Sequence, residues 1–80
     1  MAREAPIAAV CATIARLLKE ERLARNLSLT RLAEKAALSR QMVSYVERGM
    51  RIPTIDTLLR ITRVLGIDVA ELFTRAHRKS

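Results

Sequence analysis

The feature that most restricts this chain is its punctuation. Ser28, Ser39, Thr54 and Asp68 each stand directly ahead of a run whose apolar residues recur every three or four positions. These residue types carry a side-chain oxygen that accepts from the open N–H groups of a helix start. Asn26, Gly49 and Gly66 stand where the runs end, and Asn and Gly tolerate the left-handed turn that closes a helix. No stretch alternates apolar and polar residues as a half-buried strand would. The chain is therefore expected to be all-α, with helices over residues 7–25, 29–36, 40–48, 55–65 and 69–75.

Each expected helix has an apolar stripe. In the first it is Ile7, Val10, Cys11, Ile14, Leu17 and Leu18, with Pro6 suited to the helix start. In the second, Leu32, Ala33 and Ala36 face inward, and the small Ala33 lets a neighbouring helix come close. The fourth has Ile55, Leu58, Leu59, Ile61, Thr62 and Leu65. The fifth opens on Asp68-x-x-Glu71, the spacing of a capping box, and is anchored by Leu72 and Phe73. The tail beyond Arg75 is expected to fray. Eighty residues make one domain with a small core. Residues 1–12 read as an extension that lengthens the first helix, 13–74 as the domain and 75–80 as a basic tail.

Several function classes find no support in the residues. One Cys and one His fall short of the usual four zinc ligands, and a single Cys allows no internal disulfide. Cys11 lies in the apolar stripe and reads as a small core residue. There is no Ser/His/Asp set and no glycine-rich phosphate loop, so no enzyme and no cofactor is expected. No apolar run approaches the roughly 18 residues that span a bilayer. Glu4, Pro6, Arg16 and Lys19 break up the N-terminal run as a signal sequence, so a cytoplasmic protein is expected, with no membrane partner.

Charge points to a polyanion. The formal net charge is +7, and residues 22–51 carry seven Lys and Arg against Glu34 and Glu47. Within that segment the third helix is oddly polar. On a wheel of about 100° per residue, Met42, Val43 and Val46 fall on one side. Arg40, Gln41, Ser44, Tyr45 and Arg48 share the other, within an arc of about 140°, and Glu47 sits at the edge of the apolar side. Arg can donate two parallel hydrogen bonds to guanine, Gln can donate and accept with adenine, and Ser can do either. Tyr adds a ring for a thymine methyl and a hydroxyl for a phosphate. Two short helices joined by a turn with a small residue at the approach point make a helix-turn-helix, and residues 28–48 have that layout.

Taken together, Arg22 ahead of NLS (26–28), LAEKA (32–36), ALSRQMVSYVERG (37–49), Pro53 and TLLRITRVLGIDVAELF (57–73) resemble the phage-repressor-like (Xre or Cro/CI type) helix-turn-helix domains. The resemblance covers about residues 13–74. It implies a compact five-helix, lambda-repressor-like domain that regulates transcription, usually as a homodimer on a partly palindromic operator in double-stranded DNA. Residues 40–48 would be the recognition helix, with Arg40, Gln41 and Tyr45 leading the base contacts and Ser44 and Arg48 alongside. Phosphates would be gripped from the start of the second helix (Ser28, Leu29, Thr30, Arg31), from Ser39 and from the loop at Met50 and Arg51. Arg22 and Glu47 would form a structural ion pair, which fits a carboxylate at the core edge. Such a protein would sit on the nucleoid. The same fold also serves antitoxins, so a protein partner such as a toxin is the alternative. Two positions depart from the family pattern: Leu29 replaces a frequent Gln, and Ala37 replaces a frequent Gly.

Overall fold

The structure is a computed structural model that describes residues 5–80; the first four residues of the expected N-terminal extension lie outside it. Five helices follow in order: α1 (Ile7–Ala24), α2 (Leu29–Ala36), α3 (Arg40–Glu47), α4 (Ile55–Leu65) and α5 (Val69–Lys79). No strand is present among the described residues. α1 packs against α5, α3 and α4, while α2 packs against α3 and α4. The core is where these faces meet, at Leu17, Leu18, Leu32, Val43, Val46, Ile61, Leu65 and Leu72. Each such side chain contributes about 1.5–3 kcal/mol by leaving water.

The caps work as their residue types require. Ser28 accepts from the Arg31 N–H, Ser39 from the Met42 N–H and Thr54 from the Thr57 N–H. Asp68 accepts one residue earlier, from the Ala70 N–H at 2.9 Å. Four helix ends share one closure, in which a residue of positive φ turns the chain back. The positions are Asn26, Ala37, Gly49 and Gly66. After each, the next N–H reaches back to a carbonyl five residues earlier, as from Leu38 to Ala33 and from Met50 to Tyr45. At Ala37 the turn uses φ +57° on a residue with a Cβ, a conformation that costs an L-residue about 1–2 kcal/mol. The helix-turn-helix thus keeps its turn without the glycine that would make it easy.

Four expectations change. α5 does not fray after Arg75 but continues to Lys79, because Ala76 is fully buried. The Ser80 hydroxyl also bonds Thr13 Oγ1 at 2.7 Å, tying the end of α5 to the first half of α1. Ile7 and Ile55, assigned to apolar stripes, are exposed, and so is Phe73. Leu72 and Ala76 anchor α5 in place of Phe73. No helix among the described residues is long and apolar enough to cross a membrane.

Candidate nucleic-acid interface

α3 is fixed from behind. Val43 and Val46 are buried in the core, and Glu47 is buried beside them. An isolated carboxylate there would be expensive. Arg22 of α1 meets it with two parallel hydrogen bonds, Nε to Oε2 at 2.8 Å and Nη2 to Oε1 at 3.0 Å. The remaining Arg22 nitrogen donates to the Leu27 carbonyl at 2.7 Å. One guanidinium thereby joins α1, the α1–α2 turn and the last turn of α3. No buried side-chain nitrogen or oxygen lacks a partner among the described residues. The planar fork suits this job because it holds direction as well as distance.

The opposite side of α3 is open. Arg40, Gln41 and Arg48 are exposed, and Ser44 and Tyr45 are half-buried. Gln41 Nε2 donates to the Tyr45 hydroxyl at 2.7 Å, one helical turn along. This bond restricts both side chains before any partner arrives. It leaves the Gln41 carbonyl oxygen and one amide hydrogen available, so paired contact with an adenine edge stays open. Arg40, Arg48 and Arg51 make no ion pair among the described residues. These free guanidinium groups can hold an anion without first breaking an ion pair.

Ser39, Gln41, Met42, Tyr45 and Arg51 line one shallow concavity of about 360 Å³. It brings the loop arginine beside the two paired side chains of α3. Other residues of the expected phosphate grip are arranged differently. The Ser28 and Ser39 oxygens are engaged as caps, which leaves first-turn N–H groups such as those of Leu29, Thr30, Arg40 and Gln41 pointing out of the helix starts. The Leu29 side chain packs on the core, so only its backbone faces outward. Arg31 shares its charge with Glu34 at 3.5 Å. The Met50 N–H already donates to Tyr45, so this residue has no free donor for a phosphate.

Two features escape a reading of the residues. Glu21 accepts from Arg25 and from Arg75, linking α1 to α5. These cations hold its carboxyl below the usual 4.5, the Arg25 hydrogen bond most strongly, partly opposed by burial and reinforced by Arg75. The second feature is an open apolar groove beside the arginine-bearing loop, lined in part by Ile7, Ile52, Ile55 and Phe73. Exposed Ile and Phe give no sequence signal that separates them from core residues.

Comparison with known proteins agrees with this geometry. A family model described as helix-turn-helix matches residues 18–72. The immunity repressor of Bacillus phage phi105 is 37% identical over 60 residues, which is 75% of this chain and 42% of that protein. The chain spans the same 42% of a Mycobacterium tuberculosis regulator that is 34% identical over 59 residues. The restriction–modification controller C.AhdI of Aeromonas hydrophila superposes with a TM-score of 0.74 at 34% identity, covering 78% of this chain and 94% of its own. The controller C.Esp1396I, solved as a tetramer on its 35-base-pair operator, gives 0.75 at 27% identity, with 84% and 88% covered. A fixed α2–α3 pair, its open polar face and this match over most of the chain establish that the protein belongs to the phage-repressor-like (Xre type) helix-turn-helix family, a family of transcriptional regulators.

Proposed function

We propose that the protein is a sequence-specific DNA-binding regulator that acts as a homodimer on a partly palindromic operator. α3 lies in the major groove, and the two copies set their α3 helices about 34 Å apart, one helical turn of DNA. One observation carries this reading: Arg40, Gln41, Ser44, Tyr45 and Arg48 share the open side of a helix whose back is locked by Val43, Val46 and the Arg22–Glu47 pair. In this arrangement Arg40 and Gln41 enter the groove first and read base edges. Ser44, Tyr45 and Arg48 follow along the helix. Phosphates are held by the first-turn N–H groups of α2 and α3 and by Arg31 and Arg51. C.Esp1396I, solved on its operator, supports the reading by analogy. The protein acts in the cytoplasm, on the nucleoid.

The test is selection of bound duplexes from a random pool. Two inverted half-sites are expected. Arg40→Ala and Gln41→Ala should each weaken binding to the selected site by about 1–3 kcal/mol while the fold stays intact. Affinity should also fall steeply with salt, by about 10³-fold between 50 and 200 mM if the dimer contacts about six phosphates. No enrichment at low salt, or wild-type affinity in both variants, overturns the reading and favours a protein partner.

A further inference from the structure

We propose that the groove between the start of α1, the loop after α3 and the outer sides of α4 and α5 is where a second copy of this chain docks, with Ile7 and Ile55 as anchors. The proposal rests on the dimeric reading above and gives it a surface. Among the described residues six large apolar side chains are exposed, and four of them line this one groove: Ile7 (82% exposed), Ile55 (77%), Ile52 (68%) and Phe73 (40%). Scattered exposed apolar residues are ordinary, but a contiguous set marks an interaction surface.

Area separates a second copy from a casual contact. The four side chains offer on the order of 500 Å² per copy, so a symmetric pair hides on the order of 1,000 Å² from these residues alone, the lower limit for a specific interface. The groove itself, about 760 Å³, gives that contact a concave seat. The local chemistry points the same way. Ile7 and Ile55 are each the first residue of a helix, where an acidic side chain would suit the helix dipole better. An exposed Ile there does little for its own helix and is suited to contact with another chain.

Position links the groove to DNA binding. Arg51 lines both this groove and the concavity beside Gln41 and Tyr45, so the two surfaces share an edge. A two-fold axis that passes through the groove and points toward this shared edge would set two α3 faces on the same side of the dimer, as an inverted repeat requires. Arg48 also lines the groove, so pairing crowds like charges near the axis. Salt screens that repulsion. Self-association should tighten as salt rises, whereas DNA binding weakens.

Sedimentation equilibrium of the full chain without DNA tests this. The wild type is expected to dimerise reversibly. Ile7→Glu and Ile55→Glu should each raise the dimer Kd by at least about 100-fold, since each dimer loses two buried isoleucines and draws two carboxylates out of water, a cost that Arg48 and Arg51 repay only in part. Both changes favour a helix start, so the far-UV circular dichroism should stay wild-type and misfolding is excluded as the cause. Leu23→Lys, at an exposed apolar residue outside the groove, should leave the Kd unchanged. A wild type that stays monomeric to about 200 μM, or acidic variants that pair as tightly as wild type, overturns the proposal. If the variants lose pairing but the wild type enriches no DNA sequence, the surface stands and the regulatory reading falls. If the wild type binds an inverted repeat but pairs independently of Ile7 and Ile55, the regulatory reading stands and this surface falls.

Discussion

The Arg22–Glu47 pair should dominate the stability of α3 in its place against α1. The two side chains are only 8% and 4% exposed. Glu47→Ala would leave a buried guanidinium with two donors unmatched, while its bond to Leu27 keeps it from swinging into water. Breaking a buried pair from one side costs about 3–5 kcal/mol. A domain of this length has a total stability of about 4–12 kcal/mol, at 0.05–0.15 kcal/mol per residue. One substitution therefore removes about a quarter or more of the total and should lower the melting temperature by about 15–30 °C. Arg22→Ala should cost at least as much, because it strands the carboxylate and the Leu27 carbonyl and removes a packed aliphatic stem. Arg22→Met with Glu47→Leu removes both charges together, and should recover most of the loss, ending within about 2 kcal/mol of wild type. Urea unfolding followed by circular dichroism, with linear extrapolation and a full double-mutant cycle, measures each corner. The reasoning fails if Glu47→Ala costs under about 1 kcal/mol, or if the double variant loses the sum of the two single losses.

Ala37→Gly relieves an L-residue at positive φ on an exposed turn, offset by the greater freedom of glycine in the unfolded chain. The net gain should be about 0.5 kcal/mol, a rise of about 2–4 °C in a thermal melt, and a fall would refute the strain argument. Glu21 has its folded pKa below the unfolded value, so its contribution is present above about 4.5 and is lost as pH drops through the lower, folded value. Wild-type melting temperature should therefore fall faster than that of Glu21→Gln between about pH 5 and 3, and parallel curves would sink this account. Tyr45→Phe keeps the ring and deletes the hydroxyl that accepts from Gln41. Operator affinity should drop by about 2–10-fold in a titration, with unchanged melting, and an unchanged affinity would mean that the Gln41–Tyr45 bond does not prepare the face.

Local signals made much of this fold readable. Caps, stops and three-four spacing act within a few residues, so Ser28, Ser39, Thr54, Asp68, Asn26 and the two glycines mark boundaries close to those observed. The wheel of α3 also separates its two sides well, because a helix that short has few ways to turn. Contacts between distant segments were less readable. The length of α5 depends on Ala76 finding a place in the core and on Ser80 meeting Thr13, partners separated by 67 residues. Nothing near Arg75 announces either event. Likewise the sequence does not announce that the Met50 N–H closes α3 on the Tyr45 carbonyl.

The misplaced apolar residues follow from the physics of the signal itself. An amphipathic period reports that one side of a helix avoids water, and it is silent on what provides the shelter. Ile14, Leu17 and Leu18 are sheltered wholly or partly by their own chain; Ile7, two turns earlier on the same stripe, is not. Ile55 and Leu58 sit on one stripe of α4, yet only Leu58 reaches the core. Phe73 stands next to the fully buried Leu72, about 100° further round α5, and is left 40% exposed. Three independent helices thus place a surplus apolar residue beside the same loop, Gly49 to Pro53, that follows α3. A small domain gains little by exposing such residues unless something covers them, since each uncovered Ile forgoes about 1.5–3 kcal/mol of possible burial. The apolar residues that the core leaves uncovered are therefore the ones that bear most on assembly. On the dimeric, DNA-binding function proposed above, their convergence beside Arg51 would place the contact between two copies next to the contact with DNA.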